Sequence, residues 1–104
     1  MQQITLAGTL LTDATKFRDR RNRDFLRFIL TCTSVDSNGR TVFTHYKCIC
    51  YILSFQELKK GDRVFLTGRF MPSLGQDETG KTYMNLDVMV LTMSGGYRPD
   101  KKGA

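Results

Sequence analysis

The run Thr44-His45-Tyr46-Lys47-Cys48-Ile49-Cys50-Tyr51 puts an imidazole, an ammonium and a phenol within one short stretch of chain. At the two-residue period of an extended strand, His45, Lys47, Ile49 and Tyr51 share one face, while Tyr46, Cys48, Cys50 and Ile52 share the other. The second set is mostly apolar and suits a core. The first is a poor core set, but a cation between flat polar rings can pair with phosphates and stack on bases. A solvated edge strand would look the same in isolation. Neighbouring segments repeat the arrangement, which favours a nucleic-acid surface.

Arg27 and Arg69 alternate outward on their own segments, as Lys47 does, so a phosphate backbone could run across all three. Lys16, Arg18, Arg20, Arg21 and Arg23 crowd into the most charged part of the chain and form a basic finger beside them, or a hairpin that charge keeps soluble. Tyr51 and His45 are candidate stacking platforms; Phe17 and Tyr83 could stack on bases or pack on the fold. Phe28 and Phe70 are assigned to the core. The 104 residues carry 16 Lys and Arg against 10 Asp and Glu, a formal charge of +6, which favours an anionic partner.

Other chemistries find little support. The single His has no carboxylate or nucleophile at a recognisable spacing, and no Gly-rich phosphate loop is present, so the chain reads as a non-enzyme without cofactor. Cys48 and Cys50 point together but away from His45, so the three cysteines read as small buried thiols and not as metal ligands. No apolar run reaches the roughly 20 residues of a membrane span and no signal peptide is visible, so a cytoplasmic protein with no membrane role is expected.

The elements that must position these residues are strands. Ile4, Leu6 and Leu10 alternate with Thr5, Ala7 and Thr9, and Gly8 inside that pattern marks a bend such as a barrel corner. Asp19–Asp24 holds no apolar residue and reads as a hairpin tip. Phe25–Thr33 alternates, with Leu26, Phe28, Leu30 and Cys32 inward. Asn38-Gly39 is a tight-turn pair leading into Thr41–Tyr51. Ile52–Lys60 is the one candidate helix, with Leu53, Phe55 and Leu58 apolar and Gly61 as its stop. Arg63–Phe70 alternates again, Pro72–Thr82 reads as a flexible polar hairpin, and Tyr83–Thr92 closes the set with Met84, Leu86, Val88 and Val90 on one face. Residues 1–94 are expected to fold as one domain, and 95–104 as a disordered tail. Five strands with a short helix between the third and fourth predict an all-β, five-stranded Greek-key barrel, the oligonucleotide/oligosaccharide-binding (OB) fold.

Within that layout the chain resembles the bacterial single-stranded DNA-binding proteins. Ile4-Thr5-Leu6-Ala7-Gly8-Thr9-Leu10 is similar to the family's opening strand, and Asp13–Thr33 fits its first hairpin without a gap. Lys59-Lys60-Gly61-Asp62-Arg63-Val64-Phe65-Leu66-Thr67-Gly68-Arg69-Phe70 resembles its fourth strand, and Gly80–Val88 its final hairpin. The match spans about residues 3–93. The resemblance implies a homodimer or homotetramer that binds single-stranded DNA in replication, recombination and repair, alongside replication or repair proteins.

Several departures bear on that expectation. The chain has no Trp: His45 and Tyr51 stand at two of the family's stacking positions, and its hairpin Trp is replaced near Gly75. Tyr46 replaces the usual interface His, and the acidic, Phe-ended tip is missing, as in a truncated piece or a short variant. Two other readings stay open on the same fold: a primosomal-type interaction module with weak strand binding, and an RNA-binding barrel.

Overall fold

The computed structural model describes residues 1–97, and the chain forms six strands: β1 (Gln2–Leu10), β2 (Thr15–Arg18), β3 (Asp24–Val35), β4 (Thr41–Cys50), β5 (Arg63–Gln76) and β6 (Thr82–Tyr97). β1 pairs antiparallel with β5 along its length and with β3 at Thr9–Thr31 and Leu10–Leu30. β3 pairs with β4, β4 runs parallel to β6, and β6 pairs back to β5. That circuit is a closed five-stranded barrel with the OB topology. β2 lies outside the circuit as the far arm of the basic hairpin, paired only to the start of β3.

Alternation fills the barrel as the sequence pattern requires. Leu6, Leu10, Leu26, Phe28, Leu30, Cys48, Cys50, Val64, Leu66, Val88 and Val90 are buried, and Phe70 packs half-buried on them with its ring edge against Tyr46. Desolvation, followed by the neighbouring thiols Cys32 and Cys50, pushes the Cys48 thiol up to about 12, as expected of a sulfur that behaves as a small apolar side chain. Met84 faces the same way as Val88 but is exposed, because the β5–β6 ribbon has left the barrel there.

Three segments differ from their expected form. Ile52–Lys60 is not a helix: it contains one 3-10 turn, Leu53–Phe55, closed by i to i+3 bonds from Phe55, Gln56 and Leu58. The three-residue period lines up Ile52, Phe55 and Leu58 toward the barrel end and leaves Leu53 exposed. Gly61 does take a positive φ, and the buried Asp62 carboxylate accepts the Lys59 N–H at 2.9 Å. Pro72–Thr82 is an ordered ribbon, paired out to Gln76–Thr82. β6 runs to Tyr97, past the expected limit at 94; the remainder of the expected tail, 98–104, lies outside the described residues.

The ordering comes from a turn that occurs three times. Asp19, Asp36 and Asp77 each accept backbone N–H groups from residues two and four further on, at 2.9 Å. The residue three further on takes a left-handed conformation in each: Asn22 (φ 65), Gly39 (φ 77) and Gly80 (φ 83). Asn38-Gly39 is therefore the end of a three-residue loop, not a two-residue turn. Each tip closes on a cation: Arg23, Arg40 and Lys81.

A Cβ at Gly8 would lie 2.5 Å from the Thr31 carbonyl oxygen and 2.9 Å from Cys32 Sγ, at the point where β1 changes partner. Gly8→Ala should lower stability by about 1–3 kcal/mol, the typical penalty for overpacking, read as a fall in the urea midpoint with an unchanged slope.

Candidate nucleic-acid interface

The outer surface of β3 and β4 carries the residues of interest because their immediate neighbours along each strand build the core. Phe25, Arg27, Ile29 and Thr31 alternate outward on β3, and His45, Lys47 and Ile49 on β4, with Tyr51 just beyond its end. Register places Phe17 of β2 directly opposite Phe25. The Phe17 and Phe25 rings stack with centroids 5.9 Å apart at 28°, and the Phe25 and Tyr51 rings lie 5.6 Å apart at 43°. The Arg27 guanidinium sits 5.3 Å from the Phe17 centroid, and that of Arg23 4.9 Å from the Tyr51 centroid. Three adjoining rings are thus bracketed by two guanidinium groups.

The Asp19 turn locks one end of this strip. Tyr51 Oη donates to Asp19 Oδ2 at 3.0 Å, and Arg23 Nε donates to the same oxygen at 3.1 Å. The Arg23 backbone N–H holds the Asp19 carboxyl below its ordinary range, with help from the Tyr51 hydroxyl, the Arg23 side chain and the Arg21 N–H. Partial desolvation, then the Asp19 hydrogen bond and charge, raise the Tyr51 hydroxyl above its ordinary value. The finger and the face are therefore one unit.

Of the residues singled out in the sequence, the fold brings Arg23, Arg27 and Tyr51 together. Lys47 lies beside them, its Nζ donating to Asn85 Oδ1 at 3.2 Å, and shares with Phe17, Arg27, Ile29, Thr12 and Thr15 a cleft of about 300 Å³. Tyr83 faces the same side of β6 as Asn85, farther out on the ribbon, with its ring laid over Gly75 where a Cβ would come within 2.7 Å of it. Arg20 and Arg21 are exposed at the finger tip.

Four others are placed apart. Lys16 and Arg18 alternate to the reverse side of β2 from Phe17, and Arg18 is tied to Asp24 at 3.1 Å and Asn22 at 3.3 Å. His45 shares a 2.9 Å hydrogen bond with Thr31 and lies six residues from Tyr51, about 20 Å along an extended strand. Arg69 is separated from Ile49 by Met89 of β6, and its Nε lies 3.0 Å from Met1 Sδ. Phe25 is the residue that strand alternation did not single out. Counting back along both arms from the Asp19–Arg23 tip places it opposite Phe17, so the signal lay in the turn. Among the described residues no His, Cys, Asp and Glu side chains group to hold a metal ion, and no helix is long and apolar enough to cross a membrane.

The lock makes a pH prediction. A lowered carboxylate pKa means the Asp19 contacts persist as pH falls through the ordinary carboxylate range and fail only below it; a raised phenol pKa means they are lost as pH rises through that raised value. The ring-carbon NMR signal of Tyr51 should titrate above the ordinary tyrosine value, and Asp19→Asn should move that titration downward.

No protein-family model matches the sequence, and no curated protein matches it. The fold has solved counterparts: the chain is similar to a Plasmodium falciparum SSB described in complex with ssDNA, with a TM-score of 0.70 and 14% identity over 91% of this chain and 94% of that one. At that identity the likeness is one of fold.

Proposed function

We propose that the protein binds single-stranded DNA on the outer face of β3 and β4, largely without regard to sequence. The observation that carries this reading is the contiguous Phe17–Phe25–Tyr51 strip bracketed by Arg23 and Arg27. The exposed Phe17 ring and the half-buried Phe25 and Tyr51 rings can accept any base face, and the guanidiniums and Lys47 meet phosphates, so affinity does not need a base code. A duplex buries its base faces, so the strip favours a single strand. Arg20 and Arg21 would act at the margins as phosphate contacts and Tyr83 as a separate stacking site on the ribbon. His45 and Arg69, set apart from the strip, would serve a longer strand as a stacking and a phosphate contact, and Lys16 and Arg18, on the reverse side of β2, would add only general positive charge. The likeness in fold to a protein described in complex with ssDNA adds support.

Homo-oligomerisation and a role in replication, recombination and repair form part of the same reading. β1 pairs with β3 only at Thr9 and Leu10, so Gln2–Gly8 has an open edge, and the exposed Phe65 of β5 lies opposite Ala7, one strand in from that edge. A second reading, a primosomal-type module with weak strand binding, draws on the exposed Leu74–Met84 pair on the reverse side of the ribbon, which suits a protein partner.

Fluorescence anisotropy with labelled dT oligonucleotides of graded length tests the strand reading. Phe25→Ala and Tyr51→Ala should each weaken binding by about 1–3 kcal/mol with the fold intact. If about four phosphates are neutralised, log affinity should fall with log salt at a slope of about −3. Weak, length-independent binding unaffected by either variant would favour the protein-partner reading. Phe65→Lys should lower the mass found by sedimentation if the β1 edge is the contact between copies.

A further inference from the structure

One acidic residue among the cations of this face lacks the donors that occupy Asp13 and Asp19. Asp87 lies on β6 in register with Lys47 of β4 and Met71 of β5, and it lines a cleft of about 210 Å³ with Phe25, Arg27, Lys47 and Ile49. Its Oδ1 is covered by protein and accepts no hydrogen bond among the described residues. The two cations that share the cleft do not pair with it. Lys47 donates to Asn85 instead, and Arg27 lies over the Phe17 ring. The ion pairs among the described residues belong to the basic finger, Arg18 with Asp24 and Arg23 with Asp19.

A covered carboxylate oxygen without a donor is an acceptor waiting for one. A phosphate cannot supply a donor and is repelled. A base can. The carboxylate torsion is broad, so either oxygen can turn toward the cleft opening. Cytosine, adenine and guanine carry an exocyclic amino group on the pairing edge, and a carboxylate accepts well from such a group. Thymine and uracil present two carbonyl oxygens flanking a single N–H, which sets like partial charges against Asp87.

We propose that the Asp87 cleft is a base-edge subsite that favours a base carrying an exocyclic amino donor over thymine or uracil. It makes one position selective within an otherwise indifferent interface. Phe25 and Ile49 supply the apolar wall for the base, Arg27 and Lys47 hold the flanking phosphates, and Asp87 reads the edge. The inference rests on the single-strand reading above and deepens it.

The test is a titration with dC and dU homopolymers of equal length at slightly alkaline pH, since these bases differ only in the pairing-edge groups at issue. Wild type should bind dC more tightly by about fivefold or more, the low end for a discriminating base contact. Asp87→Asn, which can turn an amide donor toward the uracil carbonyl, should bring the dC:dU ratio close to unity by gaining on dU. A wild-type ratio of one overturns the subsite while leaving general strand binding in place. So does an Asp87→Asn variant that strengthens both oligonucleotides equally, because Asp87 would then act as bulk charge alone. Absence of binding to either oligonucleotide overturns the strand reading together with the subsite.

Discussion

Closing a five-stranded sheet into a barrel requires its first and last strands to pair, and here β1 closes it by reaching from β5 across to β3. It follows β5 through most of its length and reaches β3 only at Thr9 and Leu10. The change of partner is sharp enough that the backbone of β3 occupies the place of a side chain at Gly8. Everything else in the molecule is arranged around this closure. Leu10 and Leu66 fill the interior, the Leu53–Phe55 turn with Leu58 covers one end, and the backbone of Gly61 and Asp62 bonds to the end of β1.

The candidate site is a consequence of that closure. Alternation commits Leu26, Phe28, Cys48 and Cys50 to the interior, so Phe25, Arg27, Lys47 and Ile49 must face out. The hairpin beyond the barrel then adds Phe17 to Phe25, and its Asp19 turn reaches back to hold Arg23 and Tyr51. A carboxylate near a cationic surface would ordinarily weaken the hold of that surface on anions. Here Asp19 is spent on internal donors, and it fixes a guanidinium over a ring. Asp87 has no such partners, which is what sets it apart from the other acids of the face.

The long β5–β6 ribbon extends the same logic past the barrel. Its pairing holds to Gln76 and Thr82 because Asp77 organises the tip with three donors, two backbone N–H groups and the Thr79 hydroxyl at 2.6 Å. The ribbon has two unlike sides: Tyr83 over Gly75 continues the β4 side, and Leu74 with Met84 forms an apolar reverse. Both lie clear of the core, so neither contributes to the stability that Leu66 and Val88 supply.

The sequence by itself determined the five barrel strands, their facing and the barrel class, because a period of two and a bend at Gly8 are local facts, but not β2 or the ribbon arms beyond the barrel. It also placed Arg27, Lys47 and Tyr51 on an outer surface. Its reading of 52–60 as a helix failed because apolar residues at 53, 55 and 58 and those at 52, 55 and 58 look alike until the barrel end selects a three-residue period. Only the tertiary structure decided which outward residues meet. Phe25 became part of the strip through hairpin register, and Tyr51 joined Asp19 across 32 residues of chain. Lys16 and Arg18 turned away, and Asp87 came to face Lys47 through a parallel pairing that no local pattern announces. Alternation is a property of one strand, whereas register is set by turns and by closure, and a binding face is made of register.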